Sequence, residues 1–172
     1  MKCERLLDCC DTVLNGCTVT DCADIRSCIK SSDARPIVSC EENNRKYQLN
    51  NTSSNRVVHY QMDGGIVNDP LILKCDRLLV IRSDGYVGVL VELKGNDVQH
   101  GIRQIAETLN QFPQFFNTCK RVHARIVATR GTPNYMASPT RKRLKEDLLT
   151  KYGRGTLEIK TRQYTENDTD LL

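Results

Sequence analysis

Tryptophan is absent from this chain of 172 residues, and aromatic side chains of all kinds make up only 5% of it. So few rings leave no platform on which single-stranded bases would stack. Long apolar runs are missing as well. The longest, around Val87 to Val91, falls far below the ~20 residues that a membrane-spanning helix needs. Nor does an apolar segment follow Met1-Lys2-Cys3-Glu4-Arg5, which predicts a chain without a secretory leader that works inside the cell. Cysteine is plentiful, but its spacing lacks what a standard zinc site needs. Cys3, Cys9, Cys10, Cys17, Cys22, Cys28 and Cys40 contain no C-x-x-C pair, and His59, His100 and His123 are scattered.

What is present suits one globular domain, with a small appendage at most. Hydrophobic residues are 39% and charged residues 27%, enough for a core and against disorder. Cys3, Leu6, Leu7, Cys10, Val13, Leu14 and Cys17 fall on one helical stripe. In a reducing compartment these cysteines read first as small apolar packing residues, then as metal ligands, then as redox groups. Cys9 and Cys22 fit none of these roles. The net charge of +4 is uneven. Residues 1–55 carry seven basic and eight acidic side chains, whereas residues 120–162 carry twelve basic and three acidic ones. Such an excess attracts polyanions, nucleic acid first among them, although a plain solvated face has the same composition.

Helices are expected over 3–15 and 21–31. A polar stretch from Glu41 to Asn55 reads as a loop or linker and marks the boundary between a Cys-rich helical extension (1–55) and a core (56–172). In that core, strands are expected at 56–62, 71–82, 86–94, 122–129 and 155–162. A helix capped by Asn96 or Asp97 would present Val98, Ile102, Ile105, Leu109 and Phe112, with Pro113 ending it. A second would open at Ser138-Pro139, present Leu144, Leu148 and Tyr152, and close at Gly153. The tail from Thr165 reads as loose. The order implies an α/β fold, a mixed sheet flanked by helices.

The hairpin of the second and third core strands carries the chemistry. A three-residue loop Ser83-Asp84-Gly85, with Gly in the left-handed position, pairs Arg82 with Tyr86. That register sets Asp76 opposite Glu92, and Lys94 points to the same side as Glu92. A two-residue loop would instead oppose Asp76 to Leu93. Two facing carboxylates repel, and they make sense with a divalent cation between them. Such oxygen ligands suit Mg2+ or Mn2+, with the Leu93 carbonyl as a further ligand. The ion would polarise a phosphodiester and acidify a water, while Lys94 orients that water and offsets developing charge. Arg141, Lys142, Arg143 and Lys145 would suit phosphate contacts or a solvated helix face.

The segments Lys74-Cys75-Asp76-Arg77-Leu78-Leu79-Val80 and Val89-Leu90-Val91-Glu92-Leu93-Lys94-Gly95, followed by a helix, resemble the PD-(D/E)XK nuclease superfamily over roughly residues 56–130. The resemblance implies a restriction-endonuclease-like fold and metal-dependent phosphodiester hydrolysis, DNA before RNA. It also implies that Gln104 orients water or substrate. Departures are Cys75 in place of proline before Asp76, Thr108 where some branches carry tyrosine, and no clear counterpart of an extra acidic residue, for which Glu4, Glu41 and Glu42 are the candidates. An acid-x-Lys triplet arises about once by chance in a chain of this length. The second copy, Glu158-Ile159-Lys160, lacks the hairpin and the helix and reads as a solvent-facing pair. The rival readings are a catalytically inactive nuclease fold that binds nucleic acid or serves as a structural subunit, and a cysteine-based zinc or redox module. A homodimer or membership of a larger complex is compatible with either nuclease-fold reading.

Overall fold

A computed structural model describes residues 6–17, 28–130 and 138–172. Its elements are α1 (Leu6–Leu14), β1 (Ile29–Asp33), β2 (Ile37–Glu42), β3 (Arg45–Asn50), β4 (Arg56–Gln61), β5 (Arg77–Arg82) and β6 (Tyr86–Lys94). They continue with α2 (Val98–Gln111), α3 (Pro113–Phe116), β7 (Cys119–Ala128), α4 (Pro139–Thr150), β8 (Leu157–Thr161) and β9 (Gln163–Asn167), closed by a 3-10 turn at Asp168–Asp170. The protein is mixed α/β. A six-stranded sheet in the order β1-β4-β5-β6-β7-β8 is antiparallel through β6 and parallel from β6 to β8. A three-stranded sheet, β2-β3-β9, lies on one face of it.

Alternation along the strands divides the core in two. Leu78, Val80, Leu90 and Ile126 face the helices and pack with Leu6, Cys10, Ile102, Phe116 and Leu148. Leu79, Ile81, Val89 and Val91 face the second sheet and pack with Val38, Tyr47 and Leu49. A central strand covered on both faces must be apolar almost throughout, which is why β6 reads as an unbroken Val/Leu run. Glu92, inside that run, breaks the rule on the helix face.

Several expectations give way to tertiary pairing. Residues 18–27, including Cys22, lie outside the described residues, as do residues 1–5 with Cys3 and Glu4. The end of the helix expected at 21–31 is instead β1, whose backbone pairs with β4. Most of the supposed linker forms the β2–β3 hairpin, turned by Asn43 and Asn44 at φ 47° and 63°. Both are in the left-handed region that Asn tolerates in tight hairpins. The supposedly loose tail is β9, parallel to β3. Its Glu166 is buried against Arg125, and Leu171 is fully covered. Residues 71–76 form a loop rather than strand: the Leu73 and Lys74 carbonyls and the Cys75 N–H bond to side chains of α2 instead of to a neighbouring strand. The Lys74 ammonium donates to the Asp69 carbonyl (2.7 Å) beside the Asp63 carboxylate (3.1 Å).

Cys9, Cys10, Cys28, Cys40, Cys75 and Cys119 are buried, and Cys17 is exposed. Burial pushes Cys40 and Cys119 up to about 12, so they pack as neutral side chains. Among the described residues no helix is long and apolar enough to cross a membrane.

Candidate active site

The β5–β6 hairpin decides where the acidic residues stand. Arg82 pairs with Tyr86 and Arg77 with Val91, the register that a three-residue loop requires. The Ser83 N–H donates to the Gly85 carbonyl at 3.0 Å, although Gly85 is not in the left-handed region expected for it. Extended by one pair, this register sets Asp76 across from Glu92. The expected opposition is therefore present, but the two carboxylates do not simply confront each other. The Asp76 N–H donates to Glu92 Oε2 (3.1 Å), and the Leu93 N–H donates to Asp76 Oδ2 (2.7 Å). Each acid holds backbone of the other's strand, and the bend at Asp76 makes the exchange possible. Among the described residues no hydrogen bond reaches Asp76 Oδ1. In a strand the N–H and C=O of one residue point to the same edge, so the Leu93 carbonyl opens on the Asp76 side.

Lys94 ends β6 with its Nζ 3.6 Å from Glu92 Oε1. The same ammonium donates to Gln104 Oε1 at 2.7 Å, and Gln104 Nε2 donates to the Lys74 carbonyl at 2.7 Å. Gln104, expected to face water or substrate, has both ends of its amide engaged and acts as a brace for Lys94. One turn on, Thr108 Oγ1 accepts from the Cys75 N–H (2.8 Å) and donates to the Gln104 carbonyl (2.8 Å). These contacts fasten the Lys74–Asp76 loop to α2. The helix is placed by the Asp97 side chain, which caps it by accepting from the His100 N–H. Sequence reading missed Lys74 and Thr108 as supports. Their only signal was polar side chains beside apolar neighbours: Thr108 next to Leu109 on a buried helix stripe, and Lys74 just before the strand.

The electrostatics single out Glu92, which is only 1% exposed. Burial, then the Asp76 charge, push its carboxyl from 4.5 up to about 9, against the opposing pull of Lys94. Both causes of the rise favour the protonated form of the group. Asp76 is raised too, chiefly by burial, with the Leu93 N–H opposing and the Glu42 carboxylate adding to the rise. Among the described residues no three His, Cys, Asp or Glu side chains gather into a full ligand shell. Asp76 Oδ1 and the Leu93 carbonyl are the oxygens of this corner that no hydrogen bond reaches among the described residues. An ion that keeps most of its water takes few ligands from the protein.

Asp76, Glu92, Leu93, Lys94 and Gln104 thus meet at one end of β6. Arg141, Lys142, Arg143 and Lys145 stand apart on α4, whose Ser138 cap accepts from the Arg141 N–H. Lys142, Arg143 and Lys145 are exposed, while Leu144 and Leu148 are buried, consistent with packing of α4 on α2 and β8. Glu158 and Lys160 form an exposed pair at 3.7 Å. No protein-family model, curated protein or solved structure matches this chain.

Proposed function

We propose that the protein is a metal-dependent nuclease with the restriction-endonuclease-like fold of the PD-(D/E)XK superfamily, cleaving phosphodiester bonds in DNA in preference to RNA. The observation that carries this reading is the meeting of Asp76, the buried Glu92 and Lys94 at one end of β6, with the Asp76 N–H 3.1 Å from Glu92 Oε2 and Lys94 Nζ 3.6 Å from Glu92 Oε1. Such an arrangement is a poor choice for stability, because ionising a buried carboxyl without full pairing is costly. A cation offsets that cost. The order of elements around it, an antiparallel meander β4-β5-β6, then α2, then parallel β7, also supports the superfamily reading.

A bound Mg2+ or Mn2+ would polarise the scissile phosphate and acidify a water. Asp76, Glu92 and the Leu93 carbonyl would hold it. Lys94, kept in place by Gln104, sets a positive charge where negative charge develops on the phosphate and orients the attacking water. Gln104 acts through Lys94 and is a positioning residue. The exposed bases of α4 would lie along the backbone of the nucleic acid without reading its sequence.

Circular DNA, linear DNA and RNA incubated with Mg2+, Mn2+ or EDTA test the proposal. Expected is cleavage that requires the metal and disappears in Asp76→Ala. Undiminished cleavage in EDTA would overturn it. Nucleic-acid binding with no cleavage under any metal would mark an inactive clamp of the same fold.

A further inference from the structure

The β2–β3 hairpin places a cation beside the candidate site that the sequence pattern did not point to. Glu42 acts electrostatically on Asp76, while its register partner Arg45 reaches over the ends of β6 and β7. Arg45 Nη1 donates to Thr129 Oγ1 at 3.2 Å and lies 3.7 Å from the place a Cβ on Gly95 would take. Gly95 directly follows Lys94, and its carbonyl accepts from the Thr129 N–H at 3.0 Å. The guanidinium therefore sits over the connection between Lys94 and the start of α2.

Arg45 has donors to spare where it stands. Its Nε is enclosed without a hydrogen-bond partner. None of the ion pairs among the described residues includes it. A guanidinium offers five N–H donors in a planar fork, and the bond to Thr129 is the one side-chain hydrogen bond it makes among the described residues. Its Nε alone is enclosed, and the remaining donors of this half-buried side chain are open to water or to a ligand. The chemistry that completes a planar fork of donors is a carboxylate or a phosphate. Next to a site that would hold a phosphodiester, phosphate is the fitting partner.

We infer that Arg45 binds a backbone phosphate of the substrate strand next to the one cleaved, with Thr129 holding the fork in place. The β2–β3 tip thereby seats the strand over Lys94. This inference rests on the nuclease reading, and it concerns seating rather than bond breaking.

The test measures binding of a short labelled DNA duplex across a salt series, on an Asp76→Ala background so that cleavage does not interfere. Arg45→Ala should weaken binding about tenfold and lower the slope of log K against log salt by about one counterion. Arg45→Lys should restore the slope but only part of the affinity, because an ammonium lacks the fork. Lys120→Ala, at the opposite end of β7, removes the same charge and should leave both unchanged. In the otherwise unaltered chain, Arg45→Ala should raise KM more than it lowers kcat. Equal affinity and salt slope with and without Arg45, in a protein that binds and cleaves, would overturn the inference and leave the nuclease reading intact. Loss of cleavage by the unaltered chain together with an Arg45-dependent salt slope would sink the nuclease reading and keep Arg45 as a phosphate contact. A chain that binds no DNA removes both.

Discussion

Ionising Glu92 inside the fold is opposed by burial and by Asp76, and Lys94 answers only part of that cost. The sign of the pH dependence follows. The group's ordinary value is 4.5 and its folded value is about 9, so the stability it contributes is complete below 4.5 and is lost as pH rises toward 9. Asp76 shifts in the same direction. In EDTA, the thermal midpoint of the unaltered protein should therefore fall as pH rises toward 9. Glu92→Gln keeps the shape and removes the charge, so its midpoint near pH 9 should exceed that of the parent. Metal-dependent cleavage should drop at least about a hundredfold in the same variant. A parallel pH profile for parent and variant would show that Glu92 is not the strained group. At this scale the sequence was informative: Asp76, Glu92 and Lys94 were placed by hairpin register. The roles of Gln104 and Thr108 were not legible, because a side chain's hydrogen-bond partners depend on where a distant loop is packed.

Helix α2 lies close against β6, and Gly101 is the point of contact. A Cβ there would lie 3.1 Å from Glu92 Cγ and 3.7 Å from Lys94 Cβ. Two effects compete in Gly101→Ala. Helix propensity gains up to about 1 kcal/mol, and the tight contact costs about as much or somewhat more. Stability should therefore change little, while Glu92 must move by a few tenths of an ångström. The expected result is a thermal midpoint within a few degrees of the parent together with an approximately tenfold or greater loss of cleavage, since positioning errors of this kind are costly to catalysis. Cleavage at the parental rate would show that the helix does not set the site's geometry. The cap at Asp97, the buried stripe of α2 and the start of α4 at Ser138 are all local signals, and the structure has them as the sequence reads. β1 and β9 carry no such signal. Short polar strands become strands only when an edge accepts them, and here β4 and β3 supply the edges.

Three layers, helices on a six-stranded sheet on a three-stranded sheet, are tied together by a buried ion pair. Arg125 on β7 grips Glu166 on β9 through two bonds of 2.6 and 3.0 Å, and Tyr47 and Tyr164 donate to the same carboxylate at 2.8 and 3.1 Å. Breaking such a pair from one side leaves a charge buried without its partner, which costs about 3–5 kcal/mol. Glu166→Ala should lower stability by that amount in chemical denaturation, and Glu166→Gln by less. A loss below about 1 kcal/mol would mean that the second sheet does not depend on this clasp. The acid limb of stability belongs to the same layers. His59 and His123 are buried and pushed down to about 4. They contribute stability that is present above the ordinary value of 6.5 and lost as pH falls toward 4. NMR titration of the two rings should find both neutral at pH 6. A ring charged at that pH would place the acid transition elsewhere.

Read alone, the chain determined what depends on near neighbours: the helix stripes and caps, the apolar run of β6, and a loop length that fixes which residues oppose each other in the hairpin. Only the tertiary structure decided that polar segments 37–50 and 163–167 join as a sheet, that Lys94 is held by Gln104, and that Arg45 arrives beside Gly95. The reason is physical. Periodicity and turn geometry act over a few residues. The parallel pairing of β3 with β9 joins residues more than a hundred positions apart, and the burial that raises Glu92 depends on α2 and β7 being folded back against β6.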